Sequence, residues 1–151
     1  VDMTDLVILF FNSLFFTYVG QKIPHKFLLP NKWLFKERHW EKGGAIYQQI
    51  FKVKVWKTLL PEVSDFVKSV FRKKRLWAFT KDYLAYFILE SCKAELTHWL
   101  IIYSAFFISL WNSISASWTV FWLSVILNYP YIIIQRYNRP RLIRFVLNNN
   151  N

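Results

Sequence analysis

Apolar residues in this chain fall into three long runs. One stretch, in which charged and aromatic residues alternate, separates the first run from the other two. The first run, Leu6 to Val19, is interrupted only by Asn12, Ser13, Thr17. The second covers Trp99 to Asn112 and the third Ile114 to Gln135. A membrane-crossing helix needs about 20 mostly apolar residues. Phe10, Phe11, Phe15, Phe16 and Tyr18 carry the short first run out to the interface. The pattern predicts an all-α integral membrane protein, a single domain over 1–151, with about three transmembrane helices near 4–20, 98–112 and 115–135. Trp111 to Ser117 is uncharged and predicts a short turn. The second and third helices are then antiparallel neighbours, with Trp111 and Trp118 at headgroup level. Asp2 and Asp5 stand before the first run where a cleaved leader has basic residues, so the run reads as a retained anchor.

The intervening segment, 21–97, predicts amphipathic helices lying on the membrane surface. Gly43-Gly44 suits a tight turn. Tyr47, Ile50, Phe51, Lys54 and Lys57 recur at helical spacing, which predicts one helix ended by Pro61, apolar on one face and basic beside it. Val63 to Leu76 places Phe66, Val67, Val70 and Phe71 on one face and ends in Arg72-Lys73-Lys74-Arg75, a contact for anionic lipid or for a substrate phosphate. Thr80 suits an N-cap with Asp82 in the first turn. The helix it opens meets no Pro or Gly before Asn112, so it runs through Glu95 and His98 into the second span.

Charge sharpens this picture. Lys and Arg total 20 against 9 Asp plus Glu, a formal charge of +11, which favours anionic partners. Membrane lipids fit better than nucleic acid, because the basic residues lie between apolar blocks and no nucleic-acid-binding motif is present. Sixteen of the 20 lie in 20–98, and the remaining four, Arg136, Arg139, Arg141 and Arg144, follow the third run. The positive-inside rule then puts the N-terminus outside the cell membrane and the middle segment and C-terminal basic tail, 136–151, on the cytoplasmic side. The lone Cys92 leaves no internal disulfide and no cysteine-based metal cluster.

Two polar groupings could carry chemistry. Glu95 and His98 are three residues apart on one predicted helix, so their side chains can touch. A carboxylate bonded to one ring nitrogen sets the tautomer and leaves the other to take a proton. Such a pair is also a plain interfacial anchor. His25 and His39 lack metal-ligand spacing to it, and no Gly-x-Ser-x-Gly elbow offers a nucleophile. Arg136, Arg139 and Arg141 end the third run either as a positive-inside anchor or as cations for a phosphate or carbonyl oxygen. His98 lies about 22 Å of helix before the turn and Arg136 about 28 Å after it, so antiparallel packing brings the two groupings together. Asn128, about 12 Å of helix before Arg136, is a polar residue in an apolar run, and its amide is placed to satisfy the carbonyl freed by Pro130.

These segments resemble a known family. Glu90-Ser91-Cys92-Lys93-Ala94-Glu95-Leu96-Thr97-His98-Trp99 and Gln135-Arg136-Tyr137-Asn138-Arg139-Pro140-Arg141-Leu142, with Asn128 and Pro130, are similar to motifs of the bacterial glycosyl-diaponeurosporenoate acyltransferases, which form the last ester of staphyloxanthin-type carotenoids. Trp40-Glu41-Lys42-Gly43-Gly44, Tyr47, Phe51, Trp56-Lys57 and Pro61 resemble the middle of that family, so the likeness runs from about Gly20 to Leu142. Cys92, where a basic residue is common, and the Asn148–Asn151 tail depart from it. The resemblance implies a small membrane O-acyltransferase that places a fatty acyl group on a sugar hydroxyl of a glycosylated carotenoid or similar glycolipid. It implies His98 as general base and Glu95 as its partner, with Arg136, Asn138 or Arg139 at the oxyanion or the donor's phosphates. Arg141, Asn128, Glu41 and Trp99 join the substrate-binding set, and Trp56 and Lys57 close the site. No metal and no cofactor are implied; the acyl donor, such as acyl-CoA, acyl carrier protein or a phospholipid, is a co-substrate. The competing reading is a non-catalytic membrane lipid-binding or assembly subunit.

Overall fold

A computed structural model of the chain describes residues 3–66, 71, 73, 76–111 and 114–148, without the side chains of 63, 64, 111 and 114–117. Helix is the only regular structure among them: α1 (Met3–Lys22), two 3₁₀ turns (His25–Phe27 and His39–Gly44), α2 (Ala45–Phe51), α3 (Val53–Trp56), α4 (Val63–Phe66), α5 (Lys81–Trp111) and α6 (Ile114–Asn148). Val67, Val70, Arg72, Lys74 and Arg75 of the basic segment, Asn112 and Ser113 of the expected turn, and the last three asparagines lie outside the described residues. The chain divides into two compact units. Val1–Pro24 and Lys93–Ile132 form one, and His25–Cys92 and Ile133–Asn151 the other.

In the first unit, α1 packs on the later part of α5 and the earlier part of α6. Leu9, Ala105 and Val120 form its apolar centre, with Leu123 against them. Polar groups inside it are paired with backbone. Asn12 donates to the Ile101 carbonyl at 3.4 Å and accepts from Ser104 at 3.0 Å. Gly20 faces Thr97 so closely that a Cβ there would collide with its side chain. The outer surface is strongly apolar: Phe10, Phe11, Phe15, Phe107 and Trp122 are all exposed. Among the described residues two helices are long and apolar enough to cross a membrane, Met3–Lys22 and the Trp118–Asn148 part of α6. α5 is not among them over its described residues; its apolar stretch there, from Trp99 onward, follows the polar Glu90, Lys93, Glu95 and His98.

The second unit is built on Tyr47, Val53, Ile133 and Tyr137. Gly43 (φ +67) and Gly44 (φ +82) make the expected turn in left-handed backbone, and a Cβ on Gly44 would run into the Tyr137 carbonyl. The helix expected from Tyr47 to Pro61 is two. Lys52 adopts φ 53, its N–H bonded to the Gln48 carbonyl, and this caps α2 before α3 begins. The Gln48 side chain then accepts the Lys54 N–H at 3.0 Å. α5 opens at Lys81 with Asp82 in its first turn, and the Leu84 N–H bonds to the Thr80 carbonyl. It continues unbroken past His98 to Trp111, as the pattern predicts. α6 differs from the expected end at Gln135. The segment assigned to a basic tail remains helical through Pro140 to Asn148.

Candidate active site

His98 belongs to the first unit, and its partner is a residue that sequence spacing did not select for that role. Its Nδ1 lies 2.8 Å from the Asn128 Oδ1. The Asn128 amide nitrogen donates to the Ser124 carbonyl at 2.9 Å, so the amide is oriented and Oδ1 can only accept. Nδ1 therefore carries the hydrogen, and Nε2 is the nitrogen with the lone pair. This also reassigns the Asn128 amide, which serves Ser124 one turn before it and not the Ile126 carbonyl that Pro130 frees. The imidazole lies flat against the Tyr131 ring, centroids 4.6 Å apart and planes 11° off parallel. Hydrogen bond and stack together fix both the tilt and the tautomer of the ring. Glu95 is fully buried and accepts from the Trp99 indole at 3.4 Å.

Beside this pair α5 and α6 enclose an aromatic groove of about 550 Å³, within the roughly 300–1,000 Å³ of small-molecule sites. Trp99 and Tyr129, the residues that follow His98 and Asn128, line one end and meet edge-on at 6.4 Å. Among the described residues no charged side chain lines the groove.

In the second unit Arg136 and Arg139, two of the three arginines expected to face substrate, bond to groups within the fold. Arg136 donates to both Glu41 carboxylate oxygens, at 3.1 and 3.3 Å, and to the Leu34 carbonyl. Glu41, 1% exposed, also accepts from the Tyr47 hydroxyl at 2.6 Å. Arg139, 2% exposed, donates to the Phe35 carbonyl at 3.0 Å and to the hydroxyl and carbonyl of Ser91, each at 3.3 Å. These bonds tie α6 to the His39–Gly44 region and to α5. Trp56 donates its indole N–H to the Phe51 carbonyl at 2.7 Å and packs on the core.

Lys57 and Arg141 are half-buried cations. Both sit against the Tyr137 ring, at 5.3 and 3.7 Å from its centroid, and Lys57 reaches Asn138 at 3.4 Å. A carboxylate–imidazole pair that the sequence does not predict joins His25 Nε2 to Glu90 at 2.9 Å, with Lys73 at 3.9 Å from the other carboxylate oxygen. Burial pushes the Tyr86 hydroxyl above its ordinary range, and the Glu90 charge beside it pushes further. Among the described residues no cluster of three potential metal ligands occurs.

The glycosyl-4,4'-diaponeurosporenoate acyltransferase family matches residues 30–148. The chain belongs to this family. Every residue named above from Trp56 to Arg141, and Glu41 with them, falls inside the match. A glycosyl-4,4'-diaponeurosporenoate acyltransferase of Staphylococcus haemolyticus (strain JCSC1435) is 38% identical over 109 residues, 72% of this chain and 63% of that protein. Those of Staphylococcus aureus strains N315 and USA300 are 30% identical over 124 residues, 82% of this chain and 74% of theirs. The chain thus spans less than two thirds of the S. haemolyticus family member and about three quarters of the S. aureus ones. No solved structure matches the chain.

Proposed function

We propose that this chain is a membrane O-acyltransferase that transfers a fatty acyl group from an activated donor to a sugar hydroxyl of a glycosylated carotenoid or similar glycolipid. The observation that carries the reading is the hydrogen-bonded, stacked His98, which precedes the groove-lining Trp99 on α5, in a chain whose relatives bear that activity in their names. His98 Nε2 takes the proton of the acceptor hydroxyl as its oxygen attacks the acyl carbonyl. The bond to the donor's leaving group then breaks, and the proton passes from the imidazolium to that group. Asn128 holds Nδ1–H throughout, and Tyr131 keeps the ring from turning. Glu95, buried on the same helix, accepts the indole N–H of Trp99 and so helps position a residue that lines the groove.

The membrane arrangement belongs to the same proposal. α1, the Trp99–Trp111 part of α5 and the first part of α6 cross the cell membrane, with the N-terminus outside and the arginine-rich end of α6 in the cytoplasm. Lys57, Asn138 and Arg141 take an anionic phosphate, since among the described residues neither cation is committed to a carboxylate.

The test uses purified protein in lipid, a glycosylated carotenoid acceptor, and acyl-CoA, acyl carrier protein and phospholipid donors in parallel. His98→Ala is expected to insert and fold but to lose transfer. Turnover by that variant at the wild-type rate removes His98 from the mechanism. Absence of transfer by the wild type with every donor favours a lipid-binding or assembly subunit.

A further inference from the structure

The groove between α5 and α6 has two distinct ends. At the head, Trp99 and Tyr129 stand level with His98 and Asn128, each one residue away along its helix. From Trp99 to Phe107 the groove follows α5 for about 12 Å. At the far end Phe106 meets Phe121 at 5.6 Å and Trp118 at 6.3 Å, and Trp118 meets Phe121 at 6.0 Å, each pair edge-on. Val125, midway along the α6 side of the groove, is the small aliphatic residue between those aromatic ends.

From this we infer that the groove is a measuring slot for the fatty acyl chain, with Val125 setting its width and the Phe106–Phe121 pair its depth. The inference rests on the acyltransfer reading and names the part of the substrate that occupies this space. A groove of limited depth, stopped by packed rings, fits a single flexible alkyl chain whose carbonyl end lies at the base. A rigid conjugated polyene needs a straight path past those rings. The slot opens among exposed apolar residues, Tyr103 and Phe107 among them, so a chain can enter sideways from lipid. Surrounding lipid tails are as apolar as the slot, so no hydrophobic gain draws the chain in. Selection must come from shape, and filling the slot should act more strongly than enlarging it.

The experiment offers equal amounts of donors with 10-, 12-, 14-, 16- and 18-carbon chains to the full-length protein in proteoliposomes and reads the ester products by mass spectrometry. Val125→Phe is expected to move the product distribution toward shorter chains by about tenfold in the long-to-short ratio, the low end of the roughly 10–200-fold seen for methylene discrimination. Phe121→Ala is expected to move it severalfold toward longer chains. Ile126→Phe, on an exposed position outside the groove, is the matched control and should leave the ratio unchanged. A second arm uses a fatty acyl donor with a diazirine at its terminal carbon and maps the crosslink, which needs no turnover. Label on Phe106, Phe107, Phe121 or Trp122 supports the slot. Label spread over the exposed face of α1 overturns it. Wild-type transfer with chain profiles unchanged in both variants overturns the slot while leaving the acyltransfer reading intact. Profiles unchanged but a raised KM for the carotenoid acceptor would assign the groove to the acceptor, and the inference fails.

Discussion

The Glu41–Arg136 pair gives the sharpest test of whether the C-terminal arginines anchor the fold or face substrate. The pair joins residues 95 apart in sequence at 3.1 Å, with the Arg136 side chain 12% and the Glu41 side chain 1% exposed. Glu41→Met takes the carboxylate away from a largely buried guanidinium that keeps its bond to the Leu34 carbonyl, and it removes an acceptor of the Tyr47 hydroxyl. Breaking one side of a buried pair costs about 3–5 kcal/mol, and the Leu34 bond puts the expectation near the lower figure. For a chain of this size about 3 kcal/mol corresponds to roughly 6–12 °C in Tm. Arg136→Met is expected to cost a similar amount. Replacing both partners removes the stranded charge, so the double variant should fall short of the summed losses by at least about 2 kcal/mol. The assay is thermal unfolding of the four purified proteins in one detergent, followed by intrinsic fluorescence and by the monodisperse fraction after heating. Strictly additive losses would refute the coupling. An Arg136→Met protein of wild-type stability that has lost all activity would return Arg136 to the substrate.

Two further outcomes can be checked alongside. Asn128→Leu removes the acceptor on Nδ1 and is expected to lower kcat by about 10²–10⁴-fold, the range of general-base catalysis, with KM little changed; Asn128→Asp keeps an acceptor and should retain most of that rate in a steady-state assay. Lys57→Gln and Arg141→Gln should each weaken binding to vesicles containing phosphatidylglycerol by about fivefold, from about 1 kcal/mol per basic residue at an anionic surface, and flatten the salt dependence in a sedimentation assay.

The long elements were legible because their signals are local. An uninterrupted apolar and helical pattern from Thr80 onward predicts α5, and Gly43-Gly44 predicts a turn that only glycine builds without strain. The end of α6 was not legible, since Pro140 and the arginines read as a terminus when their partners are unknown. Arg136 and Arg139 hold that stretch through Glu41, Leu34, Phe35 and Ser91, none of which is near in sequence. Lysine carries no signature of left-handed backbone, so the break at Lys52 could not be anticipated. At the site, His98 was visible by its place at an apolar boundary. Asn128 was visible as an oddity, but its amide was assigned to the nearest free carbonyl because proline chemistry is local and a contact 30 residues away is not. Tyr131 offered no signal, being one aromatic residue among 31 (8 Trp, 8 Tyr, 15 Phe).

The two lysines in left-handed backbone, Lys42 (φ 48) and Lys52 (φ 53), offer a practical lever. A residue with a Cβ gives up about 1–2 kcal/mol in that conformation, a cost that asparagine lessens through its short polar side chain. Lys52→Asn, away from His98 in sequence and outside the groove lining, is expected to raise Tm by roughly 1–3 °C without changing turnover, as measured by thermal unfolding and the transfer assay. A chain relieved at these positions would be the natural starting material for crystallisation or for electron microscopy with a fiducial partner.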